Sequence, residues 1–328
     1  MAAHRPAHDD QDTKLTDTPR DTRETQTEPA SDPGRAAPYI DRFWESDDGL
    51  QLHYRDYEGP EGSDALPALC IPGLTRNARD FESLAETLAE DRRVLVAELR
   101  GRGLSEQPRD AASYTPVTYA QDIAGLFAQE GIARAVFIGT SLGGIVTMLY
   151  ALSQPEQVAG AVLNDIGPEI EQAGLDRIAG YVGQGRNYPT WMHAARALQE
   201  SQGECYPDWG LDEWLAHAKR LMVMGNNGRI GFDYDSRIAD AFARDDDRSE
   251  DDAPAPVSLW PGFDALSGRP VLVLRGENSD LLSPATAAKM AERWPEVALV
   301  TVPRTGHAPT LDEPQSREAI AALLQRTG

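Results

Sequence analysis

Residues 133–152, "ARAVFIGTSLGGIVTMLYAL", carry two different hydrophobic periods on either side of a glycine-rich break. Val136, Phe137 and Ile138 form a short apolar, β-favouring run that predicts a strand. Ile145, Val146, Met148, Leu149 and Leu152 recur at helical spacing and predict a helix. Between them, Gly139-Thr140-Ser141-Leu142-Gly143-Gly144 has to reverse the backbone tightly while holding one side chain at the tip. Glycines two before and two after Ser141 let strand and helix pass without a Cβ clash. The Ser141 hydroxyl then stands at a helix N-terminus, where amide N–H groups stabilise developing negative charge. G-x-S-x-G alone is a common pattern. Its setting between a buried strand and an apolar helix makes Ser141 a candidate nucleophile.

Outward from this turn the chain alternates. Upstream, Leu66–Ile71 reads as a strand ended by Pro72-Gly73, and "RDFESLAETLAE" as an amphipathic helix with Phe81, Leu84 and Leu88 on one side. "RRVLVAELRGRGLSE" is a buried strand running into a glycine-rich loop, and "TPVTYAQDIAGLFAQEG" a helix capped by Thr115 with Pro116 in its first turn. Downstream, Ala159–Leu163 is a strand. After a long gap, "RPVLVLRGENSD" is a strand and loop, "SPATAAKMAERW" a helix begun by Ser283, "EVALVTVPRTGHAP" a last strand and loop, and "LDEPQSREAIAALLQRT" a closing helix. Strand and helix in alternation imply a mostly parallel sheet covered on both faces, with right-handed crossovers. Ahead of it, "YIDRFWES" and "LQLHYRDYE" flank Asp47-Asp48-Gly49 and predict an antiparallel hairpin.

Three segments break this pattern. Residues 1–38 offer almost nothing to bury and are expected to be a disordered tail. The core is then 39–167 and 263–328, with 168–262 inserted as a helical cap. No strand is expected in the insertion. Helices are expected at about 170–183, 189–202, 208–224 and 234–244. Its apolar residues Trp191, Trp209, Trp214 and Met222 are expected on an underside that roofs a pocket and contacts substrate. The acidic stretch 245–252 lacks the turn glycine of a calcium loop and reads as a solvated connector.

The 31 Lys and Arg against 53 Asp and Glu leave a net charge of −22, which argues against nucleic acid and anionic membrane surfaces as partners. Cys70 and Cys205 make no disulfide framework, and Cys70 falls in an apolar strand. No run approaches 18 apolar residues, so no membrane insertion is expected. The N-terminus shows no apolar signal core, making the cytoplasm the expected location. Oligomeric state is left open.

A serine hydroxyl needs a base, and the base needs an orienting carboxylate. Of six histidines, His4 and His8 lie in the tail, His53 precedes the core strands, and His193 and His217 lie in the insertion. His307 alone sits in a loop just beyond a parallel strand, on the sheet edge of Ser141, and is the candidate base. "GENSD", 276–280, offers Glu277 and Asp280; Asp280, deeper in the loop, is preferred as the carboxylate. The backbone N–H groups of Leu142 and Leu74 are the candidate oxyanion donors. Arg76 is either a contact for a substrate carboxylate or one half of a surface ion pair. Triad and amides supply the chemistry, so neither metal nor cofactor is required.

These segments resemble the α/β-hydrolase superfamily in its helical-cap branch, over about residues 40–328. "GTSLGG" matches the nucleophile elbow. "IPGLTRN" resembles the loop after the third strand, with Ile-Pro where histidine is usual. "ELRGRGLS" resembles "DxRGxGxS" with Glu98 for aspartate. "RGENSDLLSP" carries the acid over to Asp280, and "TGHAP" carries over His307. The resemblance implies an eight-stranded, mostly parallel sheet with an inserted helical cap. It implies a serine hydrolase cleaving small to medium carboxylic esters or lactones through an acyl-enzyme, similar to enol-lactonases, carboxylesterases and cofactor-free haloperoxidases. A carbon–carbon bond hydrolase acting on a diketone or ring-cleavage product, and a non-catalytic receptor or scaffold, are the alternatives. Serine at the elbow separates the chain from dehalogenases and epoxide hydrolases, which carry aspartate there.

Overall fold

The computed structural model describes residues 37–242 and 258–327. The expected tail falls outside the described residues except for 37 and 38, taking His4 and His8 with it. The acidic stretch 245–252 lies wholly outside them.

The hairpin forms where Asp48 and Gly49 turn the chain: β1 (Ile40–Glu45) pairs antiparallel with β2 (Gln51–Tyr57), with Glu45 opposite Gln51. Then come β3 (Ala68–Ile71), α1 (Glu82–Leu88), β4 (Val94–Ala97), α2 (Pro116–Glu130), β5 (Ala135–Thr140), α3 (Leu142–Ser153) and β6 (Val158–Asn164). Strands β3, β4 and β6 are buried at every position, as expected of strands covered on both faces. Thr115 caps α2 by accepting from the Thr118 N–H, and Gly131 closes it in the left-handed region at φ 63°.

The insertion follows: α4 (Gln172–Ala179), β7 (Asn187–Tyr188), α5 (Trp191–Gln202), α6 (Leu211–Leu221), β8 (Met222–Met224) and β9 (Ile230–Phe232), then a 3₁₀ turn at Ser236–Phe242. The expectation of an all-helical insertion is corrected here. The last residues of the expected 208–224 helix are a strand, and β7, β9 and β8 form a small antiparallel sheet. Met222-Val223-Met224 follows Leu221 without a polar break, and a run that short does not distinguish helix from strand by periodicity.

The core resumes with α7 (Trp260–Asp264), β10 (Val271–Gly276), α8 (Pro284–Ala291), β11 (Val297–Val302) and α9 (Pro314–Leu324). The main sheet has eight strands in the order β1-β2-β4-β3-β5-β6-β10-β11, parallel from β4 to β11. One apolar cluster lies under α2, α3 and α7, and a second, around Phe81, Ile138, Leu274 and Ile320, covers the other face. This layering brings the loops after β3, β5, β6, β10 and β11 to one edge. Among the described residues no helix is long and apolar enough to cross a membrane.

Candidate active site

Ser141 takes φ 52° and ψ −114°, the strained backbone that lifts a side chain out of a strand–turn–helix elbow. Gly143 is required beside it, because a Cβ there would run into the Ile71 carbonyl of β3. The Ser141 N–H donates to the Asn164 carbonyl at 2.9 Å, tying the elbow to the end of β6.

His307 completes a continuous hydrogen-bonded line. Its Nε2 lies 2.9 Å from Ser141 Oγ, and its Nδ1 lies 2.7 Å from Asp165 Oδ2. The carboxylate on this line is therefore Asp165, and the expectation of Asp280 is corrected. Asp280 is committed elsewhere: Arg177 of α4 donates to it through Nε at 2.5 Å and Nη2 at 2.9 Å. This pairing outweighs the effect of burial and holds the Asp280 carboxyl below the usual range. Asp165 is fully buried at φ 57° and accepts from the Gly276 N–H at 2.7 Å and the Ser279 hydroxyl at 2.6 Å. Its carboxylate is thus aimed by three donors, one of them the imidazole. Glu277, the other acid weighed, accepts from the Arg304 N–H. The signal that marks Asp165 is in the sequence: it directly follows the buried strand next to the elbow strand.

Its neighbour Asn164 cross-links the site. The fully buried Asn164 Nδ2 donates to Thr140 Oγ1 at 3.0 Å and to the Pro309 carbonyl at 2.9 Å, joining elbow and histidine loop.

Leu142 opens α3, so its N–H has no intrahelical acceptor, and Leu74 lies in the turn after β3. Among the described residues, neither N–H donates to a protein group. The Leu74 carbonyl, in the next peptide of the turn, accepts from Nε of the buried Arg102 at 2.9 Å, which anchors the loop. Glu98 steadies the following residues by accepting from the Ala78 N–H at 2.9 Å. It also accepts from the Leu104 N–H at 2.7 Å and pairs with His53 Nδ1 at 2.9 Å. The longer side chain thus reaches three partners from the position where the family usually has aspartate. His53 is buried between Glu98 and Asp41, far from the nucleophile in role: it is a strut under this loop.

A narrow cavity of about 70 Å³ opens onto Ser141 and His307, with Gly73, Leu74, Arg76, Asp80, Tyr181 and Tyr206 in its wall. Trp191, Trp209, Trp214 and Met222 do not line it, correcting the expectation that they contact substrate. They belong to a separate apolar cluster inside the insertion. The tryptophans act at one remove: Trp209 stacks on Tyr206 with ring centroids 3.9 Å apart, and Tyr206 faces the cavity. The bulky rings went to the insertion's own small core, where most apolar area could be buried.

The fold and this site define an α/β hydrolase of the serine type. The model of the alpha/beta hydrolase family matches residues 68–322, and the chain belongs to that family. It is 34% identical over 270 residues to the 3-hydroxybutyrate-oligomer hydrolase of Cupriavidus necator, covering 80% of this chain and 89% of that one. It is 28% identical to the 2-(acetamidomethylene)succinate hydrolase of Mesorhizobium japonicum, over 73% of this chain and 80% of that one. A solved structure of an alpha/beta hydrolase from Novosphingobium aromaticivorans superposes with a TM-score of 0.83 at 60% identity, over 89% of this chain and all of that one.

Proposed function

We propose that the protein hydrolyses small carboxylic esters or lactones through an acyl-enzyme on Ser141. The observation that carries the reading is the line Ser141–His307–Asp165, with contacts of 2.9 and 2.7 Å. In this mechanism Ser141 Oγ attacks the substrate carbonyl carbon and its proton passes to His307 Nε2. Asp165 holds Nδ1–H and stabilises the imidazolium. The oxyanion is met by the N–H groups of Leu74 and Leu142. Collapse expels the alcohol, protonated by His307. Water, deprotonated by the same nitrogen, then releases the acid. The small cavity favours short acyl and alcohol groups over long lipid chains. The likeness to a 3-hydroxybutyrate-oligomer hydrolase supports esters of short hydroxy acids as the substrate class. The test is turnover of p-nitrophenyl acetate by the wild type and by Ser141→Ala. The variant is expected to lose on the order of 10⁵- to 10⁶-fold in kcat. Full activity in it ends the reading, and a strong preference for a ring-cleavage dienoate over any ester moves it to carbon–carbon bond hydrolysis.

A further inference from the structure

Arg76 stands two residues beyond Leu74, in the wall of the cavity. A Cβ built on Gly73 would lie 3.3 Å from Arg76 Cγ and 3.7 Å from Ser141 Cβ. The missing side chain therefore leaves open the space between this arginine and the nucleophile. Nε of Arg76 donates to Asp80 Oδ2 at 2.5 Å, an i,i+4 pair on the turn and helix that follow the loop. That single bond orients the guanidinium and leaves its outer edge available. Nη1 has only the Nε2 of His217 at 3.5 Å, and Nη2 donates to no protein group among the described residues. His217 is buried, and burial together with the charges of Arg76 and Arg220 keeps its pKa well below the ordinary value. It is a neutral neighbour that supplies no counter-charge.

The other two arginines of the cavity wall are placed differently. Arg177 gives Asp280 a two-pronged bond, and Arg220 pairs with Asp312 at 3.4 Å with both side chains about a third exposed. Among the described residues, Arg76 is thus the arginine of this wall whose Nη1 and Nη2 both face no carboxylate. A planar fork of that kind fits a carboxylate bidentately.

We infer that Arg76 binds a carboxylate on the substrate, so that the preferred ester is one whose acyl or alcohol part ends in a free acid. This rests on the proposed hydrolysis at Ser141. An oligomer of hydroxy acids would be read from its acid end, with the ester nearest that end delivered to the nucleophile.

Two matched pairs of esters test it. Mono-p-nitrophenyl glutarate and its methyl ester place the charge on the acyl side. 3-Acetoxybutyrate and its methyl ester place it on the alcohol side. In at least one pair the free acid is expected to exceed its neutral partner in kcat/KM by tenfold or more. In Arg76→Gln that ratio is expected to fall to near one, mainly through KM. Arg76→Lys, which keeps the charge but not the fork, should recover only part of it. Neutral esters hydrolysed as well as the acids in both pairs, or a preference that survives in Arg76→Gln, overturns the inference. If Arg76→Gln does not fold, the wild-type ratios together with the Lys variant decide. Hydrolysis of p-nitrophenyl acetate lost in Ser141→Ala supports the underlying reading by itself, so an absent acid preference alongside it removes only the carboxylate site.

Discussion

The loops after β6 and β10 each offer an aspartate to the same end of the sheet, and they use it in opposite ways. Asp165 has no solvent exposure and receives an imidazole, a hydroxyl and a peptide N–H. Asp280 is a third exposed and receives a guanidinium from the insertion. The side chains are chemically identical, so the partners decide the duty. The Asp280 carboxylate is turned toward the insertion by a charged, two-pronged partner, whereas the Asp165 carboxylate is held by neutral donors of the sheet edge in the position where it meets the imidazole. The loop after β10 still serves the site, because Gly276 and Ser279 are what hold Asp165 in place.

The sharpest way to break this contrast is to neutralise each acid in turn. Asp165→Asn is expected to lower kcat by roughly 10³- to 10⁴-fold, because the amide no longer selects the productive tautomer. Asp280→Asn should cost less than about tenfold, through a loosened Arg177 rather than a disabled base. Comparable losses in both variants, measured on one activated ester, would show that the two loops share the acid.

A buried histidine paired with carboxylates but lacking a nucleophile extends the comparison to stability. Burial alone would lower the pKa of His53, but its bonds to Asp41 and Glu98 raise it to about 9 from an ordinary 6.5. Burial likewise opposes ionisation of Glu98, yet the bond and charge of His53 and the N–H groups of Ala78 and Leu104 hold it at about 2 against an ordinary 4.5. A raised histidine pKa stabilises fully below 6.5 and the benefit is lost as pH climbs through about 9. A depressed carboxyl pKa stabilises above 4.5 and is lost as pH falls through about 2. Both contributions are therefore whole between 4.5 and 6.5. The melting temperature is expected to decline from pH 6.5 to 9.5, reflecting a loss on the order of 2 kcal/mol, and His53→Gln should flatten that decline. An equal decline in the variant would assign it to other groups.

The smallest effect belongs to the surface as a whole. A net charge of −22 repels itself at low ionic strength, so melting temperature should rise modestly from low salt to about 0.5 M NaCl. A flat or falling curve would mean that the charges are too dispersed to matter.

Local pattern made the core legible. The elbow needed glycines at fixed offsets, the strands needed unbroken apolar runs, and Thr115 and Ser283 accept from N–H groups at their helix starts as their positions predict. Ser141 could be placed because it directly follows such a strand, and His307 because it lies in the loop just beyond the last one. The acid was harder to read, because the weighed acids Glu277 and Asp280 share the loop after β10 while Asp165 lies after β6, and the partner that occupies Asp280, Arg177, stands 103 positions away in the sequence. The insertion was legible in its helices and opaque in its facing. An aromatic stripe shows that a surface is buried but not against what, and here Trp214 and Met222 closed a core of their own.

That insertion also grips the histidine loop at two points. The Gly306 N–H donates to the Cys205 carbonyl at 2.6 Å, and the Tyr206 hydroxyl donates to the Ala308 carbonyl at 2.8 Å. These two bonds hold the residues on either side of His307. Lifting residues 205 and 206 away from the sheet breaks both bonds, at about 1 kcal/mol net for each, and releases the backbone that carries the base. The insertion thus supplies two of the bonds that place the base, alongside the Asn164 bond to Pro309 and the Asp165 bond to the imidazole from the sheet, so the same contacts that cover the site also help to aim its histidine.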